Sequence, residues 1–162
     1  MNELRRVAEL GGFFAAHGIW SVSDGEALVP FCAVESHDGA RALTRFAADR
    51  LEVGVEQARA FFAQPPGHCA RAVLVYDGYV TLEWGKTDAL IVEARSLGTD
   101  ASFTMLVPYR SGASGFAVFR PKLVALSPSG TPEIDVAHEF FAGVESHASA
   151  AAVWNAHLDQ SK

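Results

Sequence analysis

Arg71-Ala72-Val73-Leu74-Val75-Tyr76-Asp77-Gly78-Tyr79-Val80-Thr81-Leu82-Glu83-Trp84 is the stretch on which the fold turns. Its β-branched and aromatic residues favour extended chain, and Asp-Gly suits a two-residue type I′ turn whose central residues both need positive φ. Read as a hairpin centred on Asp77-Gly78, it pairs Val75 with Val80, Val73 with Leu82 and Arg71 with Trp84. The last pair suggests a cation-π contact.

Further strands are expected at 89–97, 102–109 and 115–126, separated by Gly98-Thr99-Asp100 and by the loop from Ser111 to Gly115. Short turns between consecutive strands make an antiparallel β meander of about five strands. Upstream, Ile19 to Ser23 and Glu26 to Val34 flank a second Asp-Gly at 24 and 25, which reads as an N-terminal hairpin, with Pro30 placing its second strand at an edge or bulge.

Helices frame the strands. Leu4, Val7, Ala8, Gly11, Phe14 and Ala15 recur at helical spacing, with Gly18 as the expected stop. Asp38 suits an N-cap for a helix carrying Leu43, Phe46, Ala47 and Leu51, and Val55, Ala58, Phe61 and Phe62 mark another after Gly54. Thr131-Pro132-Glu133 is a helix start for Ile134, Ala137, Phe140, Phe141 and Val144, with a break expected near Ser146 before a run to Trp154. The expected fold class is α+β, one domain over 1–158 with a frayed tail at 159–162 and helices mainly on one sheet face. A strongly curved sheet enclosing a pocket is the alternative.

Length and composition fit this. The chain has 162 residues, of which 49% are hydrophobic and 20% charged, enough to bury a core without metal or disulfide staples. A net charge of −6, with no Lys/Arg cluster, opposes binding to nucleic-acid phosphates. Glu9 and His17 interrupt the apolar start, which does not read as a signal peptide, and no apolar run is long enough to span a bilayer. The expected setting is cytoplasmic, with Cys32 and Cys69 reduced and no membrane partner.

Motifs for chemistry are weak. Gly85-Lys86-Thr87 lacks the glycine spacing and the following helix of a phosphate-binding loop. His138-Glu139 has Ala142 where a zinc-protease helix needs its second His, and the other histidines lack ligand spacing. Cys32 and Cys69 read as small buried hydrophobes, and His68 next to Cys69 points to the opposite strand face. Ser114 lacks the context of a nucleophile elbow. Val-Glu-Ser-His occurs at both 34–37 and 144–147 without a surrounding repeat. No metal or cofactor is implied, and the residues do not decide whether the chain is an enzyme.

Two functional expectations remain. Val73, Val75, Val80, Leu82, Trp84 and Ile91 fall on one face of the expected meander, and Leu74, Tyr76, Tyr79, Leu90, Val92 and Ala94 on the other, so both faces are apolar. An antiparallel sheet covered on one side should alternate. The second face then calls for a partner, a pocket or curvature, and the leading reading is a non-catalytic module that homodimerises through a sheet face or edge strand. The alternative is an enzyme or carrier for a small anionic ligand near Arg110 and Arg120. There Tyr109, Arg110, Arg120 and Lys122 surround a Gly-rich loop, and Arg matches carboxylate or phosphate in paired hydrogen bonds. The same cations also serve to protect a strand edge.

Overall fold

The computed structural model describes residues 2–112, 115–130 and 132–161. It is an α+β fold: four helices and a seven-stranded open antiparallel sheet in the order β2-β1-β3-β4-β5-β6, with β7 also on β5. The elements are α1 Glu3–Val22, β1 Phe31–Ser36, β2 Arg41–Arg45, α2 Leu51–Ala63, β3 Cys69–Leu82, β4 Gly85–Ser96, β5 Ser102–Arg110, β6 Ala117–Val118, β7 Lys122–Ser127, α3 Glu133–Ser146 and α4 Ala148–Ala156.

Asp77-Gly78 is not a turn. β3 runs straight through it, pairing Asp77 with Leu90 and Gly78 with Ala89, and the chain reverses at Glu83-Trp84 with Gly85 at φ +121°. The pairs Val75–Val80, Val73–Leu82 and Arg71–Trp84 are therefore replaced by Val75–Val92, Val73–Ala94 and Arg71–Ser96. Tertiary contacts outweigh the turn propensity: the Asp77 carboxylate accepts from the Tyr109 hydroxyl, and a Cβ on Gly78 would lie 2.9 Å from Ile91 Cδ1. The new register also re-sorts the faces, placing Val73, Val75, Leu90, Val92 and Ala94 in the main core and Leu74, Tyr76 and Ile91 on the other side.

The N-terminal hairpin is likewise corrected. α1 continues past Gly18 to Val22 because Gly18, Ile19 and Val22 extend its buried stripe, and Gly18 lets the helix lie against Leu90 and Val75. Gly25, at φ +90°, donates to the Val22 carbonyl and closes the helix end instead of a hairpin. β1 lies between β3 and β2, and β2 stands where a helix from Asp38 is expected. Asp38 instead accepts from Ala40 N–H in the β1–β2 turn, and Gly39 takes φ +90°. Gly54 lies inside α2, where a Cβ would meet the Phe46 carbonyl at 2.4 Å.

The expected strand 115–126 is split into β6 and β7. Neither Pro108 nor Pro121 has an N–H to give, so the ladder on β5 is interrupted between them. The break between α3 and α4 falls at His147, as the pattern near Ser146 predicts. The Thr131 cap and the Ser114 nucleophile reading lie outside the described residues, as does the side chain of Ile134.

The main core lies between the sheet and α1, α3 and α4, with Trp154, Phe31, Phe140, Leu10 and Ile19 fully buried. α2 covers part of the other face, setting Ala58, Val55 and Phe62 over Leu74 and Tyr76. The second apolar face is thus partly satisfied within the chain. Among the described residues, no helix is long and apolar enough to cross a membrane.

Candidate functional site

Of the four residues singled out around the Gly-rich loop, three divide between two neighbouring cavities. Tyr109 and Arg110, at the end of β5, line a cavity of about 260 Å³ with Trp84, Lys86, Asp88 and Phe119. Lys122, at the start of β7, lines a larger, more open space of about 700 Å³ with Trp84 and Ser161. Trp84 is the shared wall, its ring centroid 5.7 Å from that of Phe119. Arg120 lines neither; its guanidinium donates to the Gln160 carbonyl.

Strand alternation sends Tyr109 inward and Arg110 outward. The Tyr109 hydroxyl lies 2.8 Å from both carboxylate oxygens of Asp77. Burial, followed by the Asp77 charge, holds the phenol far above its ordinary range, and burial also pushes the Asp77 carboxyl up. Tyr109 is therefore a neutral hydrogen-bond donor at physiological pH. Arg110 Nε donates to the Gly115 carbonyl at 3.2 Å, and the Lys86 ammonium sits 4.4 Å from the Tyr79 ring centroid.

A second polar constellation was not visible in the sequence. Arg71, almost fully buried, donates through Nε to Glu35 at 2.7 Å and through one terminal nitrogen to Glu3 at 2.8 Å. Arg41 reaches the other Glu35 oxygen at 2.7 Å, and Ser96 Oγ donates to Glu3. Arg71, Glu35 and Arg41 border a cavity of about 320 Å³, with Arg6, Glu9, His37 and Asp38 around it. The only sequence signal was a lone Arg in an apolar strand, assigned to Trp84 through the misplaced turn. Its charges are paired among themselves, so the network reads as an internal brace across α1, β1, β2 and β3.

The cysteines behave as buried hydrophobes. Burial pushes the Cys32 thiol up to about 12 and also raises Cys69, so neither is a ready thiolate. His68 is exposed in the turn before β3, whose first residue is the buried Cys69, so the two are not neighbours within one strand as expected. Among the described residues, no group of three or more His, Cys, Asp or Glu side chains is placed to hold a metal. No family model, no curated protein and no solved structure matches the chain.

Proposed function

We propose that the protein is a non-catalytic assembly module in which two copies join through the free edge of β7. The observation that carries this reading is the contrast among the sheet's edges. β2 presents Arg41 and Arg45, charges that discourage strand addition. β6 is closed by the C-terminal segment, through Val118 N–H to the His157 carbonyl and Asp159 N–H to the Val118 carbonyl. Among the described residues β7 pairs with β5 on one side only, and its centre, Leu123-Val124-Ala125-Leu126, carries no charge.

Val124 is the extra residue of a bulge opposite Thr104 and Met105, and the residue is 56% exposed. Pro121 and Pro128 bound the segment, limiting the addition to one six-residue strand. A twofold axis through β7 would pair the edge with itself in antiparallel register and bury the Val124 side chains. Of Tyr76, Tyr79 and Val92, expected at a dimer face, α2 covers Tyr76 and Val92 lies in the core, while Tyr79 stays exposed under Lys86 and away from β7 in the sheet order.

Light scattering and sedimentation over a wide concentration range test the reading. A dimer that Val124→Lys converts to monomer without loss of helical signal supports it. A monomer at the highest concentration overturns it and means that the bulge and flanking prolines suffice to protect the edge.

A second reading has its own observation: Tyr109, Arg110, Lys86 and Trp84 converge on one cavity. Two cations beside an exposed indole suit a small aromatic or anionic ligand. Native mass spectrometry of freshly purified protein tests it. A small molecule retained by the wild type but not by Arg110→Gln favours this reading, whereas unchanged uptake in that variant removes Arg110 from it.

A further inference from the structure

We propose that His17 and His147 form a proton-sensitive latch that holds α4 against α1 and releases it on mild acidification. His17 lies on α1, and His147 is the single residue between α3 and α4. His17 Nδ1 and His147 Nε2 are 3.2 Å apart, a hydrogen bond that needs one proton between them.

A neighbouring bond fixes where that proton sits. His147 Nδ1 accepts the Ala150 N–H at 3.2 Å and so carries no hydrogen. The His147 proton is therefore on Nε2, which donates to His17 Nδ1. His17 in turn carries its proton on Nε2, an atom closed off from solvent and without a hydrogen-bond partner. Both rings are neutral in this arrangement, and each acceptor nitrogen is already used. Zinc at the two facing nitrogens would require a proton on His147 Nδ1, the position the Ala150 N–H occupies.

An added proton has nowhere to go without breaking a bond. On His147 Nδ1 it removes the acceptor that caps α4; on His17 Nδ1 it sets two N–H groups against each other at 3.2 Å. The surroundings add to the penalty. Phe13 and Trp20 of α1 and Phe31 of β1 pack around the rings, and besides this burial the charge of Arg45 from β2, and that of His147 once protonated, oppose a proton on His17. Arg41 lies over the ring of Phe13, 4.7 Å from its centroid, and the Glu145 carboxylate at the end of α3 accepts from Asn155.

α4 is suited to such control. It has nine residues, no acidic residue in its first turn, and one side-chain cap, that of His147. It carries Ala150 and Trp154 into the core, and the segment after it closes the edge of β6 through Val118. Loss of the cap therefore loosens the C-terminal strap as well as the helix.

The test is ¹⁵N NMR of the full chain from about pH 7.5 to about pH 5, across the ordinary imidazole range. The expected result is that the Ala150 amide and the Trp154 indole lose their native signals in one transition that coincides with titration of the His17 and His147 ring nitrogens. His147→Asn keeps a cap acceptor without a titrating ring and should retain both native signals at pH 5. Native signals that persist to pH 5 in the wild type overturn the proposal. So does a transition unchanged in His147→Asn, or one at a pH different from that of the ring nitrogens, which needs no variant to observe.

Discussion

Glu35 and Arg71 are register partners on β1 and β3, and their side chains meet at 2.7 Å in a site almost closed to water. Removing one member of such a pair leaves the other charge buried and uncompensated, which typically costs about 3–5 kcal/mol. Arg41 still reaches Glu35, so Arg71→Met is expected near the lower end, about 3 kcal/mol by urea unfolding. Replacing both, as Glu35→Leu with Arg71→Met, should cost less than the sum of the two single changes. Additive costs in that cycle would show that the pair is not coupled.

The α1–α3 crossing depends on two glycines. A Cβ on Gly12 would lie 1.8 Å from the Phe140 carbonyl oxygen, and one on Gly143 would lie 2.0 Å from that of Glu9. Both obstacles are backbone and cannot rotate away. Gly12→Ala and Gly143→Ala are therefore each expected to cost at least the roughly 1–3 kcal/mol of an overpacked core. Gly67→Ala, with nothing within 4 Å and no positive φ, is the control and should leave the urea midpoint nearly unchanged. Equal effects at all three positions would remove the crossing as the cause.

The parts legible in the sequence are those in which one periodicity is unopposed. Leu4, Val7, Ala8, Gly11 and Ala15 mark α1, and the helix break falls beside Ser146. The misreadings share one cause, local turn chemistry overridden by distant partners. Asp77-Gly78 has the composition of a type I′ turn, but Tyr109, 32 residues on, supplies the hydroxyl that holds Asp77 in a strand. Asp24-Gly25 ends a helix for a similar reason, since Gly18 packs against Leu90 and carries α1 past the expected stop. Of the candidate site, the placement of Tyr109 and Arg110 on one cavity was readable from the loop between strands. The departure of Arg120 was not, because its partner is the Gln160 carbonyl. Nor was the Glu35–Arg71 pairing, which needs the β1–β3 register.

The Asp77–Tyr109 contact gives the stability a distinct pH dependence. Burial, the largest influence, raises the Asp77 carboxyl above its unfolded value, with Asp88 adding to it, while the Tyr109 hydroxyl and Gly78 N–H act in the opposite direction. The folded state thus holds the Asp77 proton more tightly than the unfolded chain does. The stability this contributes is fully present below the unfolded value and is lost as pH rises through the folded one. At pH 7 the buried carboxylate is a cost, reduced by its two donors. Asp77→Asn keeps an oxygen for Tyr109 and Gly78 and removes the charge, so it should stabilise the protein at pH 7, with the advantage shrinking toward about pH 4. Tyr109→Phe removes one donor and leaves the carboxylate to Gly78 alone, a loss of about 1–3 kcal/mol that should be larger at pH 7 than at low pH. Urea unfolding of the three proteins at both pH values measures this. If Asp77→Asn proved less stable than wild type at pH 7, the carboxylate would be a net asset to the fold and burial would not dominate its energetics.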